Sequence, residues 1–190
     1  QAHLSRVAGD LVAAHKSLER ALGLCDPRSD TLLQAKVQMA LGWLLSARGR
    51  LRESLSHLQQ SRAGFRIVEE HVEEATALSA LGYVICLSGQ PMKAHPLFEE
   101  ALALIDQHGD LSHRRLVLSR MANVERSIGR FAESLEHFEQ VIRLQELAGD
   151  VNLALINRID RASTLLAMGR EDEGEDALQE LWILARAQET

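Results

Sequence analysis

The stretch "SIGRFAESLEHFEQVIRL", residues 127–144, joins two helical patterns through a single glycine. After Gly129, apolar residues recur at spacings of four, three and four, which places them on one face of an α-helix. These residues are Phe131, Leu135, Phe138 and Ile142. Residues 116–128 also have a helical pattern. Because glycine is the least favourable residue but proline inside a helix, Gly129 is predicted to end one helix before the next begins.

The same glycine returns every 40 residues, without insertion, at Gly9, Gly49, Gly89, Gly129 and Gly169. An acidic residue follows the same period, at Asp30, Glu70, Asp110 and Asp150. A repeat of this length predicts a pair of antiparallel helices, A and B, in which the glycine ends helix A. The acidic residue is predicted to begin the next helix A, where a carboxylate can cap free N–H groups and meet the positive end of the helix dipole.

Small and large residues also follow this period. Small residues precede each glycine by seven positions, at Ala2, Gly42, Gly82, Ala122 and Ala162. Others follow it by five, at Ala14, Ser54, Ala94, Ser134 and Gly174, and large apolar residues follow it by nine, at Leu18, Leu58, Phe98, Phe138 and Leu178. The small residues are predicted to lie where helices cross closely, with the large ones filling the gap beside them. One pair cannot bury its own apolar stripe, so the pairs are predicted to stack as a solenoid.

This pattern resembles the tetratricopeptide repeat, in which small residues and a turn glycine recur at fixed places of a helix pair. Residues 80–102, "ALGYVICLSGQPMKAHPLFEEAL", carry the motif best, and residues 40–61 carry it nearly as well. The resemblance covers the whole chain. The 40-residue period is similar to that of long repeats in bacterial regulators such as the maltotriose-responsive activator and its relatives. The resemblance implies a scaffold that binds a protein or peptide.

The predicted fold is therefore all-α, a right-handed superhelix of helix pairs. The predicted domain is a single array over residues 1–190, with a partial repeat over 1–34 and repeats over 35–74, 75–114, 115–154 and 155–190. The first repeat lacks most of its helix A. In the last two repeats, Glu125 and Arg161 replace the usual apolar residues, which predicts looser or water-facing packing. Pro91 suits a first helical turn, whereas Pro96 predicts a helix that is kinked or begins late.

Bulk composition narrows the function classes. The chain of 190 residues is 46% hydrophobic but only 4% aromatic, which favours an all-helical protein. Its net charge of −6 argues against direct binding of nucleic acid by this region. No apolar run is long enough to span a membrane. Cys25 and Cys86 suggest neither a disulfide framework nor a zinc site, which favours a reducing cytoplasm. The N-terminus has no signal peptide and no initiator Met, which suggests a fragment of a longer protein.

No catalytic motif is present, so the chain is predicted not to be an enzyme and to need no cofactor or metal. Four histidines share two repeat positions on helix B and are predicted to be solvated: His15, His57, His95 and His137. The segment "HGDLSH", residues 108–113, has too few ligands for a convincing metal site. The acids of residues 170–180 open a helix, where acidic residues are ordinary.

In the resembling family, helix A lines a concave groove. The groove residues predicted here to contact a partner are Lys36, Met39, Trp43, Ser79, Tyr83, Arg120, Asn123 and Arg126, with Cys86 nearby. Trp43 and Tyr83 are predicted to stack, and Arg120 and Arg126 to make the groove basic, which suits an extended peptide with an acidic group. Alternatively, the two aromatic residues only fill space between helices. The co-chaperone clamp for two carboxylates is disfavoured, because Thr76 and Ala80 stand where it needs polar ligands.

The predicted function is a protein- or peptide-binding scaffold, the interaction region of a larger bacterial signalling or transcription regulator in the cytoplasm. The alternative is a sensor that binds a small effector in a closed, partly apolar pocket near Trp43 and Tyr83. The last helix should also expose an apolar face that includes Leu178 and Trp182, covered by further repeats or by a second copy in a homodimer. Otherwise, Trp182 folds back onto Leu165 and Leu166.

Overall fold

The computed structural model describes residues 2–26, 29–109 and 111–187, and these residues form nine α-helices without a strand. In chain order the helices are α1 (Ala2–Leu24), α2 (Thr31–Ala47), α3 (Leu51–Ile67), α4 (His71–Leu87), α5 (Pro91–His108), α6 (Leu111–Ser127), α7 (Phe131–Leu147), α8 (Val151–Ala167) and α9 (Glu171–Ala187). The prediction of an all-α fold is confirmed. From α2 onward, even-numbered helices take the place of helix A and odd-numbered helices that of helix B.

The helices group into two compact units, Gln1–Gly109 (unit 1) and Asp110–Thr190 (unit 2). Within unit 1, each helix from α1 to α5 packs against the next, and α2 also contacts α4. Within unit 2, α6 to α9 pack in the same order, and α6 also contacts α8. In both units, therefore, successive A helices are neighbours. A single array over the whole chain stays a prediction.

The repeated glycine ends helix A, as predicted. Gly49, Gly89 and Gly129 have φ of 71°, 80° and 81°, in the left-handed region that favours glycine. At the end of α6, the N–H of Gly129 donates to the carbonyl of Arg126 (3.2 Å), and the next N–H donates to that of Glu125 (2.8 Å). Gly9 is different, because it lies inside α1 and ends no helix. Glycine permits a left-handed turn without forcing one.

The small and large residues of the repeat meet as predicted. A Cβ placed on Gly42 would lie 2.5 Å from Cγ of Leu58, and one placed on Gly82 would lie 2.8 Å from the ring of Phe98. Both large side chains are completely buried. Glycine thus lets α2 approach α3, and α4 approach α5, closely enough for the large residue to fill the crossing point.

The repeated acidic residue begins helix A but does not cap it. Asp30, Glu70 and Asp150 immediately precede α2, α4 and α8, and none makes a side-chain capping hydrogen bond. Their backbones lack the extended conformation that capping requires, with ψ of 28°, 78° and 60°. The carboxylate of Asp150 instead accepts a hydrogen bond from Arg115 Nη1 at 2.7 Å. Asp110, the other member of the series, lies outside the described residues.

The turn from helix B to the next helix A varies more. Glu69 and Gly149, at equivalent positions, have φ of 57° and 76°, whereas Gly109 has φ of −97°. Helix α5 begins at Pro91, as predicted, and continues through Pro96, so the expected late start is wrong. Pro96 cannot donate to the carbonyl four residues earlier, in Met92, a residue that is 63% exposed.

Candidate functional site

Unit 1 carries an aromatic patch made by Met39, Trp43 and Tyr83 on α2 and α4. The ring centroids of Trp43 and Tyr83 lie 5.9 Å apart, with the ring planes tilted by 43°. Trp43 and Met39 are half-buried and pack against the core cluster that contains Leu58 and Val84. Tyr83 remains 40% exposed. The predicted contact between the two aromatic residues is confirmed. The indole fills space in the core, while the phenol offers a surface.

Two other residues predicted for the groove in unit 1 differ in accessibility. Lys36 on α2 is exposed. Ser79 on α4 is completely buried, so it cannot touch a partner at the surface. The prediction failed because Ser79 was assigned by spacing along α4, whereas most of α4 is buried, including Ala75, Ala77 and Ala80.

Unit 2 carries a polar patch made by Asn123, Arg126 and Asp160 on α6 and α8. Arg126 Nη2 donates to Asn123 Oδ1 at 2.7 Å and lies 3.5 Å from Asp160 Oδ1. Asn123 Nδ2 donates to the carbonyl of Ser119 at 3.0 Å and to Asp160 Oδ2 at 3.4 Å. The predicted basic character is therefore offset by Asp160, which the sequence reasoning missed. The signal was available, because Asp160 follows Arg120 by one 40-residue period.

The polar patch continues into the interior. Ser119 Oγ donates to Asn157 Oδ1 at 2.7 Å, and Asn157 Nδ2 donates to Gln145 Oε1 at 3.1 Å. Asn157 and Gln145 are both buried. Arg120 is half-buried on the same helix as Asn123. Each amide oxygen here has a donor, so the network holds α6, α7 and α8 without an unsatisfied amide.

Glu125 and His137 contradict the sequence analysis. Glu125, expected to face water, is 1% exposed, and its Oε2 lies 2.7 Å from His137 Nδ1. This hydrogen bond raises the pKa of His137 above its usual range. The equivalent residues Leu45 and Leu165 are buried and apolar. A carboxylate can replace them because the neighbouring helix supplies a partner that the 40-residue period does not reveal.

The other histidines also depart from the solvated surface that was predicted. His57 contacts the side-chain oxygen of Gln38, and burial lowers its pKa. His95 is 9% exposed, and the His108 ring stacks on His71 with centroids 4.1 Å apart. No group of three or more His, Cys, Asp or Glu side chains suited to a metal ion occurs in the part of the chain that is described.

Two clefts occupy equivalent places in the two units, between one helix B, the next helix A and the next helix B. The cleft in unit 1 has a volume of about 380 Å³ and lies between α3, α4 and α5; its lining includes Arg62, Leu81 and Leu97. The cleft in unit 2 has a volume of about 370 Å³ and lies between α7, α8 and α9. Its residues Ile142, Arg161 and Ala177 are each 80 positions after those three. The two clefts thus share a position but differ in chemistry.

The C-terminal face, made by Leu178 and Trp182 on α9, is exposed as predicted. Trp182 is 59% exposed and Leu178 is 37% exposed, whereas the equivalent Ile142 and Phe138 on α7 are buried. Trp182 therefore does not fold back into its own unit, and Arg186 lies over its ring at 4.7 Å. Contact of this face with another copy of the chain stays a prediction.

Comparison with known proteins supports the tetratricopeptide repeat superfamily. Residues 116–150 match a family model described as a tetratricopeptide repeat. No curated protein sequence matches the chain. Among solved structures, the fold is similar to the nearly identical TPR-like repeats of a putative kinesin light chain from Podosopora anserina, with a TM-score of 0.76 and 20% identity over 100% of this chain and 94% of that chain.

Two further structures are similar over part of their length. Aspartyl phosphate phosphatase F from Bacillus subtilis gives a TM-score of 0.78 at 10% identity, over 92% of this chain and 45% of that chain. The Rap conjugation gene regulator of plasmid pLS20, in complex with a Phr peptide, gives 0.76 at 16% identity, over 98% and 52%. Identities this low show a shared tetratricopeptide-like fold alone. Within the described residues, every helix is too short or too polar to cross a bilayer.

Proposed function

We propose that this chain is an interaction scaffold that binds a peptide segment of a protein partner through side chains of its A helices. The observation that carries this proposal is the contact between Trp43 and Tyr83, whose rings come from successive A helices. Tyr83 keeps 40% of its surface exposed while Trp43 supports it from the core side. A rigid, partly exposed aromatic side chain is the kind of residue that contributes most to protein interfaces.

The polar patch of unit 2 supplies hydrogen-bonding groups for the same class of ligand. The contacts of Asp160 with Asn123 and Arg126, at 3.4 and 3.5 Å, are long. Exposed ion pairs of this kind contribute little to stability, so a peptide carbonyl or amide can replace them at small cost. The aromatic patch and the polar patch lie in different units. That they bind one partner together is part of the proposal.

A regulatory role fits this scaffold. One protein of similar fold is a conjugation gene regulator whose structure includes a peptide, over 98% of this chain's length. By analogy, we place the chain in a larger bacterial signalling or transcription regulator that works in the cytoplasm. The alternative, a sensor for a small effector, requires a closed pocket at the aromatic patch. Neither of the two clefts described above is lined by Trp43 or Tyr83.

The test is a selection of peptides from a displayed library on the wild-type chain, followed by titration of each enriched peptide. Tyr83→Ala should weaken binding at least about tenfold, because it removes the exposed aromatic anchor. The matched control is Met92→Ala, which truncates a 63% exposed side chain on α5 in the same unit. That control should change affinity by less than about twofold.

Thermal melts of both variants separate lost binding from lost folding. Enriched peptides that bind Tyr83→Ala as tightly as the wild type would move the site away from the aromatic patch. A selection that enriches no peptide on the wild-type chain would contradict the scaffold proposal itself.

A further inference from the structure

The cleft in unit 2 (hereafter the arginine cleft) combines an apolar wall with three guanidinium groups. Its apolar residues are Ile142 on α7 and Ala177, Leu181 and Leu184 on α9. Ile142 and Leu181 are buried, whereas Leu184 is 42% exposed at the rim. The charged residues of the lining are Glu139, Arg143, Arg158, Arg161 and Glu180. The cleft therefore brings positive charge and apolar surface together in a volume of about 370 Å³.

The repeat itself shows that the fold does not need these arginines. The residues 40, 80 and 120 positions before Arg161 are Met121, Leu81 and Leu41, all buried. Those before Arg158 are Leu118, Leu78 and Gln38, also buried. Those before Arg143 are Ala103, Ala63 and Gly23. No counterpart is charged, yet all three positions become arginine together in the same cleft.

The arginines are only weakly engaged within the chain. Arg161 donates through both Nε and Nη2 to a single oxygen of Glu139, each at 3.3 Å, and both side chains are at least a third exposed. Arg158 pairs with Glu146, again with both side chains at least a third exposed. No ion-pair partner is recorded for Arg143 among the described residues. Exposed pairs of this kind contribute little to stability.

We propose that the arginine cleft is a binding site for one anionic group, a carboxylate or a phosphate, carried on an apolar stem. The anion displaces Glu139 from Arg161 and also pairs with Arg143, while the stem lies on Ile142, Leu181 and Leu184. Charge-assisted hydrogen bonds from guanidinium groups suit both carboxylate and phosphate oxygens. None of these residues belongs to the aromatic or polar patch, so this site goes beyond the proposed function.

The charge balance restricts the ligand to a single anionic group. Glu139, Glu146 and Glu180 together match the charge of the three arginines, so the surroundings do not favour a polyanion such as nucleic acid. The apolar wall adds affinity only for a ligand that has a hydrocarbon portion. A carboxylate that ends an apolar peptide and a free short-chain carboxylate share this chemistry, and the experiment distinguishes them.

The test uses hexanoate as the first probe and follows the side-chain Nε–H signals of arginine by NMR on the whole chain. Saturable shifts at Arg143 and Arg161 are expected with hexanoate. Acetate, which lacks the stem, and hexylammonium, which lacks the anion, should give shifts at least about tenfold weaker in affinity. Acetyl-Leu-Leu with a free or an amidated C-terminus, and inorganic phosphate, then identify the source of the anion. Tighter binding of the free acid than of hexanoate indicates a peptide carboxylate.

Two variants that restore the residues of the other repeats distinguish a ligand site from a structural one. Arg161→Leu and Arg143→Ala should each weaken hexanoate binding at least about tenfold, since each removes a charge-assisted contact. If the arginines serve the ligand, the melting temperature of either variant should stay the same or rise. Glu139→Gln, which matches Gln59 of unit 1, should tighten binding about threefold by removing the competing carboxylate.

The control is Arg62→Ile in the equivalent cleft of unit 1, which copies Ile142 and should leave hexanoate binding unchanged. Three results would overturn the proposal. The first is the absence of a saturable shift with hexanoate, the free acid and phosphate alike. The second is a melting temperature that falls clearly in both Arg161→Leu and Arg143→Ala. The third is weaker rather than tighter binding by Glu139→Gln.

Discussion

His57 of unit 1 and His137 of unit 2 occupy the same position of the repeat, 80 residues apart, on α3 and α7. His57 contacts the neutral side chain of Gln38, and burial lowers its pKa. His137 contacts the buried carboxylate of Glu125, and that hydrogen bond raises its pKa. The two imidazoles therefore favour opposite protonation states in nearly the same backbone setting.

This difference teaches that the 40-residue framework fixes where a side chain lies but not what it meets. Unit 1 buries Leu45 where unit 2 buries Glu125, and each choice suits its neighbours. Stability in unit 1 then rests on apolar burial at this point, whereas unit 2 rests on a satisfied polar pair. Four measurements break or sharpen the comparison.

The largest effect is expected from removing the partner of the buried carboxylate. His137→Ala leaves Glu125 buried and unpaired, which should lower the free energy of unfolding by about 2 to 3 kcal/mol. His57→Ala should cost less than about 1 kcal/mol, since Gln38 keeps its hydrogen bond to Gln60. Urea unfolding of both variants measures the contrast.

The control for this first comparison is the double variant Glu125→Leu with His137→Leu. It restores the residues of Leu45 and Leu97 from unit 1 and should be neutral or stabilising. Equal losses in His57→Ala and His137→Ala would mean that the two sites are not energetically different.

The turn glycines should behave alike in the two units, because they belong to the shared framework. Gly49→Val and Gly129→Val should each cost about 1 to 2 kcal/mol by forcing a side chain into a left-handed backbone. A Cβ at either position would meet nothing within 4 Å, so the cost is backbone strain alone. Thermal melts indistinguishable from that of the wild type would show that these turns do not need glycine.

The turns from helix B to helix A should differ between the units. Glu69 has φ of 57°, a strained conformation for a residue with a Cβ, where unit 2 has Gly149. Glu69→Gly should therefore stabilise the chain by about 0.5 to 1 kcal/mol, after the entropy of glycine in the unfolded state is subtracted. The reciprocal Gly149→Glu should destabilise it. A loss of stability in Glu69→Gly, measured by urea unfolding, would contradict the strain argument.

The smallest effect is a pH dependence of opposite sign at the two histidines. The raised pKa of His137 gives a stabilisation that is fully present below its unfolded value of 6.5 and is lost as pH rises through the folded pKa. The lowered pKa of His57 gives a stabilisation that is present above 6.5 and is lost as pH falls through the folded pKa.

Thermal melts between about pH 5 and 8 measure these slopes. Glu125→Leu with His137→Leu should remove the loss above 6.5, and His57→Ala should remove the loss below it. If the double variant keeps the full loss above 6.5, another group is responsible for it.

Much of the fold and part of the site were predictable from particular residues. Gly129 predicts its turn because a left-handed backbone is a property of one residue and its neighbours. Gly82 and Phe98 predict a close crossing because their spacing within the pair is fixed. The contact of Trp43 with Tyr83 was predictable for the same reason, as they are 40 residues apart on neighbouring A helices. By contrast, the burial of Ser79 and the pairing of Arg126 with Asp160 were missed.

The sequence by itself determined the helices, the turns that join them and the small-to-large contacts between them. These features follow from local backbone preferences and from a period that repeats without insertion. Only the tertiary structure decided that Glu125 is buried against His137 and that three arginines line one cleft. A polar side chain takes its pKa and its role from partners on other helices, and no period along the chain specifies which partners those are.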